Sequence, residues 1–120
     1  MARPSKCRCI CSKPKNTCFM PVIGTNGTIT IGFDEYETVR LLDYVGLTQE
    51  QCSKKMAVSR TTVTRMYDAA RRKIAAALVE GRRIEITGGD VIVCTALKPE
   101  CVNEPHCCHR SEPTRQGEVL

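Results

Sequence analysis

The sequence predicts a small, mainly α domain: a helix-turn-helix with short flanking strands and irregular, cysteine-rich tails. Three observations predict it. The stretch Ser59–Glu80, SRTTVTRMYDAARRKIAAALVE, places apolar residues at Val63, Met66, Tyr67, Ala70, Ile74, Ala77 and Leu78. Spacings of three and four put one stripe along a helix. A shorter helical run precedes it, joined through only Ala57-Val58-Ser59. Cys52 and Met56 on that run, with Val58, Val63 and Met66, have the spacing by which the two helices of such a unit pack together.

The long helix has its own start and stop. Ser59 is a suitable N-cap, since its hydroxyl accepts from a first-turn N–H that has no helical partner. Gly81 stands where a left-handed residue ends a helix. Off the apolar stripe lie Arg60, Thr61, Thr62, Thr64, Arg65, Arg71, Arg72 and Lys73, with Asp68 the only acid before Glu80. A basic face is most often a solvated face. Behind a short helix and a tight turn, it instead suits a polyanion.

The remaining elements follow in order. Residues 1–21 contain Pro4, Pro14 and Pro21 and a base every few positions, so an extended arm without regular structure is expected. Thr28–Ile31 reads as a short strand after the Asn26-Gly27 turn. Asp34 begins the first helix, DEYETVRLLDYV, as N-cap, with Glu37 completing a capping box. Its buried side is Val39, Leu42 and Val45 with Tyr36 and Leu41, and Gly46 closes it. Thr48 caps the next helix with Gln51 at N3. Arg82–Thr87 reads as a strand ending at Gly88-Gly89, and Val91–Cys94 as another, with the pairing left open. The chain divides into a basic arm and strand (1–33), the helix-turn-helix (34–90) and a tail (91–120).

Composition narrows the function. The 120 residues carry a net charge of +5. Residues 1–33 hold Arg3, Lys6, Arg8, Lys13 and Lys15 and no acid, and the long helix holds the next concentration of bases. Positive charge gathered in an arm and one helix favours nucleic acid. With no Trp and few aromatic residues, stacking of single-stranded bases is a poor candidate. No apolar run approaches the roughly 20 residues that cross a bilayer, and no signal-peptide core follows the basic start. A cytoplasmic protein is expected. An enzyme is not: there is no Gly-rich phosphate loop, and His106 and His109 lack an evident acid–base partner.

The run FDEYETVRLLDYVGLTQEQCSKKMAVSRTTVTRMYDAARRKIAAAL resembles the fourth conserved region of bacterial sigma factors, which reads promoter DNA. More closely, MARPSKCR, GLTQEQ, VSRTTVTR, ARRKIAAALVEG and IEITGG, in that order, resemble an uncharacterised prokaryotic family of small predicted DNA-binding proteins. The resemblance spans roughly residues 1–90 and implies a winged-helix-like DNA-binding fold. Ala57 departs from it, standing where the motif usually has Gly. If that position is left-handed, Ala costs on the order of 1 kcal/mol. Cys52 replaces a small apolar residue and suits the core.

The first turns of the second helix meet base edges in such a unit. Arg60, Thr61, Thr62, Thr64 and Arg65 are therefore the expected contact set. Arg bonds a guanine edge bidentately, and Thr bonds an edge or touches a thymine methyl. Gln49 is the expected backbone clamp, and Arg3 and Lys6 of the arm can track phosphate. Arg71–Lys73 suit phosphate, a partner protein or plain solvation equally. Double-stranded DNA is the expected partner, with a homodimer left open.

The nine cysteines pose a second question. Cys7, Cys9, Cys11 and Cys18 lie in the arm; Cys94, Cys101, Cys107 and Cys108 lie in the tail, beside His106 and His109. Four thiols in each group match zinc or an iron–sulfur cluster in number, though not in the usual Cys-x2-Cys spacing. The alternative function is accordingly a metal- or redox-sensing protein in which DNA binding is secondary.

Overall fold

A computed structural model describes residues 8–89 and 91–93. In chain order they form β1 (Arg8–Ile10), β2 (Cys18–Phe19), β3 (Thr28–Ile31), α1 (Phe33–Val39), a π-helical continuation (Arg40–Val45), α2 (Gln49–Met56), α3 (Arg60–Glu80), β4 (Arg83–Ile86) and β5 (Val91–Val93). About half of the described residues are helical.

The ends of α2 and α3 follow from local chemistry. Gln51 donates its backbone N–H to Thr48 Oγ1 at 3.1 Å, and Thr48 N–H donates to Gln51 Oε1 at 2.9 Å. That reciprocal pair satisfies two donors that the helix start leaves open. Ser59 Oγ accepts from Thr62 N–H at 3.1 Å. Gly81 closes α3 in the left-handed conformation, φ 69°. Asn26 then seals that end: its Nδ2 donates to Glu80 O at 2.8 Å and its backbone N–H to Gly81 O at 3.0 Å. Ala57 ends α2 at φ 60°, ψ 45°, and is the one residue other than Gly with positive φ among the described residues.

The first helix starts two residues earlier than its sequence predicts. Gly32 is the N-cap, and Glu35, not Glu37, reaches back to accept from the Gly32 N–H at 2.9 Å. This releases Glu37 for the interior, where it is 1 % exposed. Its carboxylate accepts from Arg40 Nε at 2.9 Å and Nη2 at 3.0 Å, and from the Cys11 backbone N–H at 3.1 Å. A buried carboxylate is tolerable only when its oxygens are so occupied. Burial disfavours the Arg40 charge, but the hydrogen bond and charge of Glu37 outweigh that and raise its pKa. After Val39 the helix loosens: Gly46 N–H donates to Leu41 O, five residues back, at 3.0 Å. That turn fully buries Leu41, while Val39, Leu42 and Val45 are half-buried.

The core joins α2, α3 and the Arg40–Val45 turn to β1. Ile10, Leu41, Cys52, Met56, Val63 and Met66 are its buried members, with Phe33, Leu47 and Val58 packed against them. Ile10 is 1 % exposed, and its strand pairs in parallel with β5, Ile10 opposite Val93. The expected irregular arm is therefore wrong from Arg8 onward. It contributes a strand, a core side chain and, at Cys11, the N–H that Glu37 binds. On the other side β4 is central: β3 pairs with it in parallel and β2 antiparallel. Phe33 N–H donates to Gly88 O at 2.8 Å, which brings the exit of β4 against the start of α1. Gly89 lies at φ +96°, where a side chain is strained, and a Cβ there would also come within 2.9 Å of Asp34 Oδ1.

The buried side of α3 is Val63, Met66, Ala70 and Ala77. Leu78, expected in that stripe, is 75 % exposed. Leu78 points about 100° round the helix from Ala77, which carries its side chain past the edge of the buried face here. Tyr67, also assigned to the stripe, is half-buried at its edge.

Candidate functional site

The three residues Ala57–Ser59 turn the chain from α2 into α3, and α3 enters with no acid in its first turn. Its helix dipole adds positive potential at that end. Arg60, Thr61, Thr64 and Arg65 are exposed there, and Thr62 is half-buried. Among the described residues, neither Arg60 nor Arg65 makes an ion pair.

Two of the threonines already have partners. Thr64 Oγ1 donates to Gln49 Oε1 at 2.7 Å, a bond across the turn between the first residue of α2 and the second turn of α3. Gln49 and Thr64 are thus brought together, and Gln49 is oriented by the bond. Ser59 Oγ donates to Thr62 Oγ1 at 3.0 Å. Thr62 therefore stands behind the helix start and stiffens it, rather than presenting a free hydroxyl. Arg3 and Lys6 lie outside the described residues, though β1 begins only two positions beyond Lys6.

The basic stretch farther along α3 separates into two kinds of residue. Lys73 Nζ bonds both oxygens of Glu35, at 2.9 and 3.1 Å, and ties α3 to α1. Arg71 donates to Tyr67 Oη at 3.0 Å, lies 5.0 Å from the Tyr67 ring centre and is 3.9 Å from Asp43 Oδ2. Tyr67 Oη donates in turn to Asp43 Oδ1 at 2.7 Å, and this bond is the main cause of its raised pKa. Asp43 and Tyr67 were not legible as a pair, because 24 residues separate them and each suits an ordinary helix surface. Arg72 is exposed without an ion pair among the described residues. It lies seven positions beyond Arg65, so helix geometry puts both on one side, roughly 10 Å apart along the axis.

The three arm cysteines among the described residues do not assemble. Cys9 is half-buried, Cys11 buried and Cys18 exposed on β2. Among the described residues no three Cys, His, Asp or Glu side chains form a group able to hold a metal ion. A common ligand set of Cys9, Cys11 and Cys18 is not what the fold builds, since Cys11 turns inward beside the Glu37 site while Cys18 sits in the other sheet. Cys7, Cys94, Cys101, Cys107 and Cys108, with His106 and His109, lie outside the described residues. Cys52 is a core residue: burial first, and the Glu37 charge second, push its thiol up to about 12. It is protonated at neutral pH and unsuited to ligation.

Among the described residues no helix is long and apolar enough to cross a membrane. The chain belongs to a family of proteins of unknown function, DUF134, whose sequence model matches residues 1–94. A UPF0251 protein of Desulfitobacterium hafniense strain Y51 is 43% identical over 104 residues, covering 84% of this chain and 83% of the relative. One from Clostridium novyi is 49% identical over 94 residues, 75% of this chain and 63% of the relative. One from Ruminiclostridium cellulolyticum is 36% identical over 124 residues, 92% and 98% of the two chains. These names carry no activity. No solved structure matches the chain.

Proposed function

We propose that the protein is a sequence-specific DNA-binding protein and a transcriptional regulator. In this reading α2, the Ala57–Ser59 turn and α3 form a helix-turn-helix like that of sigma region four. The observation that carries it is the entry turn of α3: Arg60 and Arg65 exposed, free of ion pairs among the described residues and without an acid in the first turn. Bases left unpaired on a rigid element are what groove recognition needs, whereas Arg71 and Lys73 are spent on the fold.

The roles differ from residue to residue. Arg60 and Arg65 read base edges, and Thr61 lies between them on the same exposed entry. Gln49, oriented by Thr64, holds the start of α2 against a phosphate. Arg72 takes a phosphate beyond the bases, while Arg3 and Lys6 extend the charge along the backbone ahead of β1. Thr62 supports Ser59.

Selection from a pool of random duplexes, on the reduced full-length protein at low salt, tests this. Enrichment of a common motif is expected, with affinity falling steeply as salt rises. Failure to bind any duplex at low salt would overturn the reading.

A further inference from the structure

The end of the molecule remote from the proposed reading turn carries an unusual surface. Leu78 and Val79 on the last turn of α3 are 75% and 84% exposed. Phe19 and Met20, on and after β2, are 51% and 59% exposed, and Val22 and Ile23 almost completely so. A bare aromatic side chain exposes roughly 150–250 Å² and the smaller Val, Leu, Ile and Met less, so these fractions add up to several hundred Å² of largely apolar surface. Monomers rarely leave more than about 300–600 Å² in one patch. About 800 Å² per partner is what a stable protein–protein interface buries.

The surface has both a protrusion and a recess. Beside Leu78 a shallow groove runs between Phe19, Met20, Ala77 and Ile84. Across Phe19 and Ile84 it continues into a cavity of about 260 Å³ lined by Ile31, Tyr36, Val39, Ile74 and Ile86. Burial in that apolar wall is the first cause of the raised Tyr36 pKa. The rim is charged with both signs, Glu80 and Arg82 forming an exposed pair at 2.9 Å. The two-residue β2 is an edge of its sheet, with one side unpaired among the described residues.

We infer that this face is a homodimer interface, closed by a second copy of the chain about a two-fold axis. A two-fold contact requires one patch to complement itself. Here the knob of Leu78 and Val79 lies beside a recess on the same face, so each copy offers what the other needs. The mixed rim matches as well. Glu80 of one copy can meet Arg82 of its partner, whereas a patch of one sign would repel its own image. Along α3 the patch stands roughly 30 Å from Arg60, so dimerisation leaves the entry turn uncovered. If the DNA-binding reading above holds, the dimer presents two such turns, and its preferred site is an inverted repeat.

Sedimentation velocity on the reduced, full-length protein tests the interface without DNA. The native chain is expected at twice its 13.3 kDa mass. A Leu78→Glu, Val79→Glu variant should be monomeric, its dissociation constant raised by about 100-fold or more, because each association would bury unpaired carboxylates. Both substituted residues are exposed, so helicity by circular dichroism should be unchanged. If that variant loses helicity, Val22→Glu, Ile23→Glu takes its place and should likewise be monomeric. A native chain that stays monomeric up to about 100 μM, or a folded variant that still dimerises, overturns the proposal. An Arg60→Ala, Arg65→Ala variant should remain dimeric. A dimer that binds no duplex would retain this interface and reject the DNA reading alone.

Discussion

Ala57→Gly should stabilise the protein. Ala57 sits at φ 60°, ψ 45°, a conformation that costs a residue bearing a Cβ roughly 1–2 kcal/mol relative to Gly. Its methyl is exposed, so removing it sacrifices little packing. Against this, Gly gives the unfolded chain more freedom, which takes back about 0.4–1 kcal/mol. The difference spans roughly 0 to 1.6 kcal/mol and centres on a gain of roughly 0.5–1 kcal/mol. For a domain of this size that raises Tm by about 2–8 °C, and with a urea m-value near 2 kcal/mol/M it moves the midpoint by about 0.3–0.5 M. Ala57→Val should do the opposite, by at least about 1 kcal/mol, since a β-branched side chain tolerates this region poorly. Urea titrations of all three proteins, followed by circular dichroism, measure both effects. A destabilising Gly, or a harmless Val, would refute the assignment of strain to this turn. The hydrogen bonds from Ala57 N–H and Val58 N–H to Lys54 O and Ser53 O do not involve the side chain and should survive in both variants.

Glu37→Ala should cost about 3–5 kcal/mol in urea unfolding, because it strands the half-buried Arg40 and the Cys11 N–H together; a loss below about 1 kcal/mol would mean that water replaces the carboxylate. Glu37→Gln, which keeps an acceptor for Cys11, should lie between. Cys52 contributes to stability at alkaline pH with a definite sign. Its folded pKa is raised from 9.0 to about 12, so its contribution is complete below about 9 and is lost as pH rises through about 12. Comparison with Cys52→Ala across that window should show a shallower decline for the variant, and parallel curves would contradict the burial of the thiol. Deleting residues 1–6, which stops short of β1, should flatten the salt dependence of DNA affinity, by up to roughly 0.9 in slope for each phosphate that Arg3 or Lys6 neutralises. An unchanged slope would show that the arm does not track the DNA backbone.

The parts of the fold legible in the sequence were those decided within a few residues. Thr48 with Gln51, Ser59 before α3, Gly81 after it and Ala57 in the turn each act on their own helix end, and local chemistry is enough to place them. The strands at Thr28–Ile31 and Arg83–Ile86 were also visible as short alternating runs. What could not be seen depends on distant partners. Ile10 is a core residue only because β1 pairs with β5, more than 80 positions away, and three-residue strands leave no pattern of their own. Glu37 looked like a cap residue because nothing local reveals that Arg40 and Cys11 would surround it. At the candidate site, Arg60, Thr61 and Arg65 are as exposed as expected. The partnering of Thr62 with Ser59, and of Arg71 with Tyr67 and Asp43, depended on rotamers and crossing angles that spacing does not specify.

If α3 reads base edges, truncating Arg65 must weaken binding to one sequence far more than to others. Fluorescence anisotropy should compare native protein and Arg65→Ala on a duplex selected from the random pool and on an unrelated duplex at the same salt. A loss of roughly 1–3 kcal/mol is expected on the selected duplex and a much smaller one on the unrelated duplex. Equal losses on both would contradict that reading, since Arg65 would then be contacting phosphate and α3 would not be reading sequence through it.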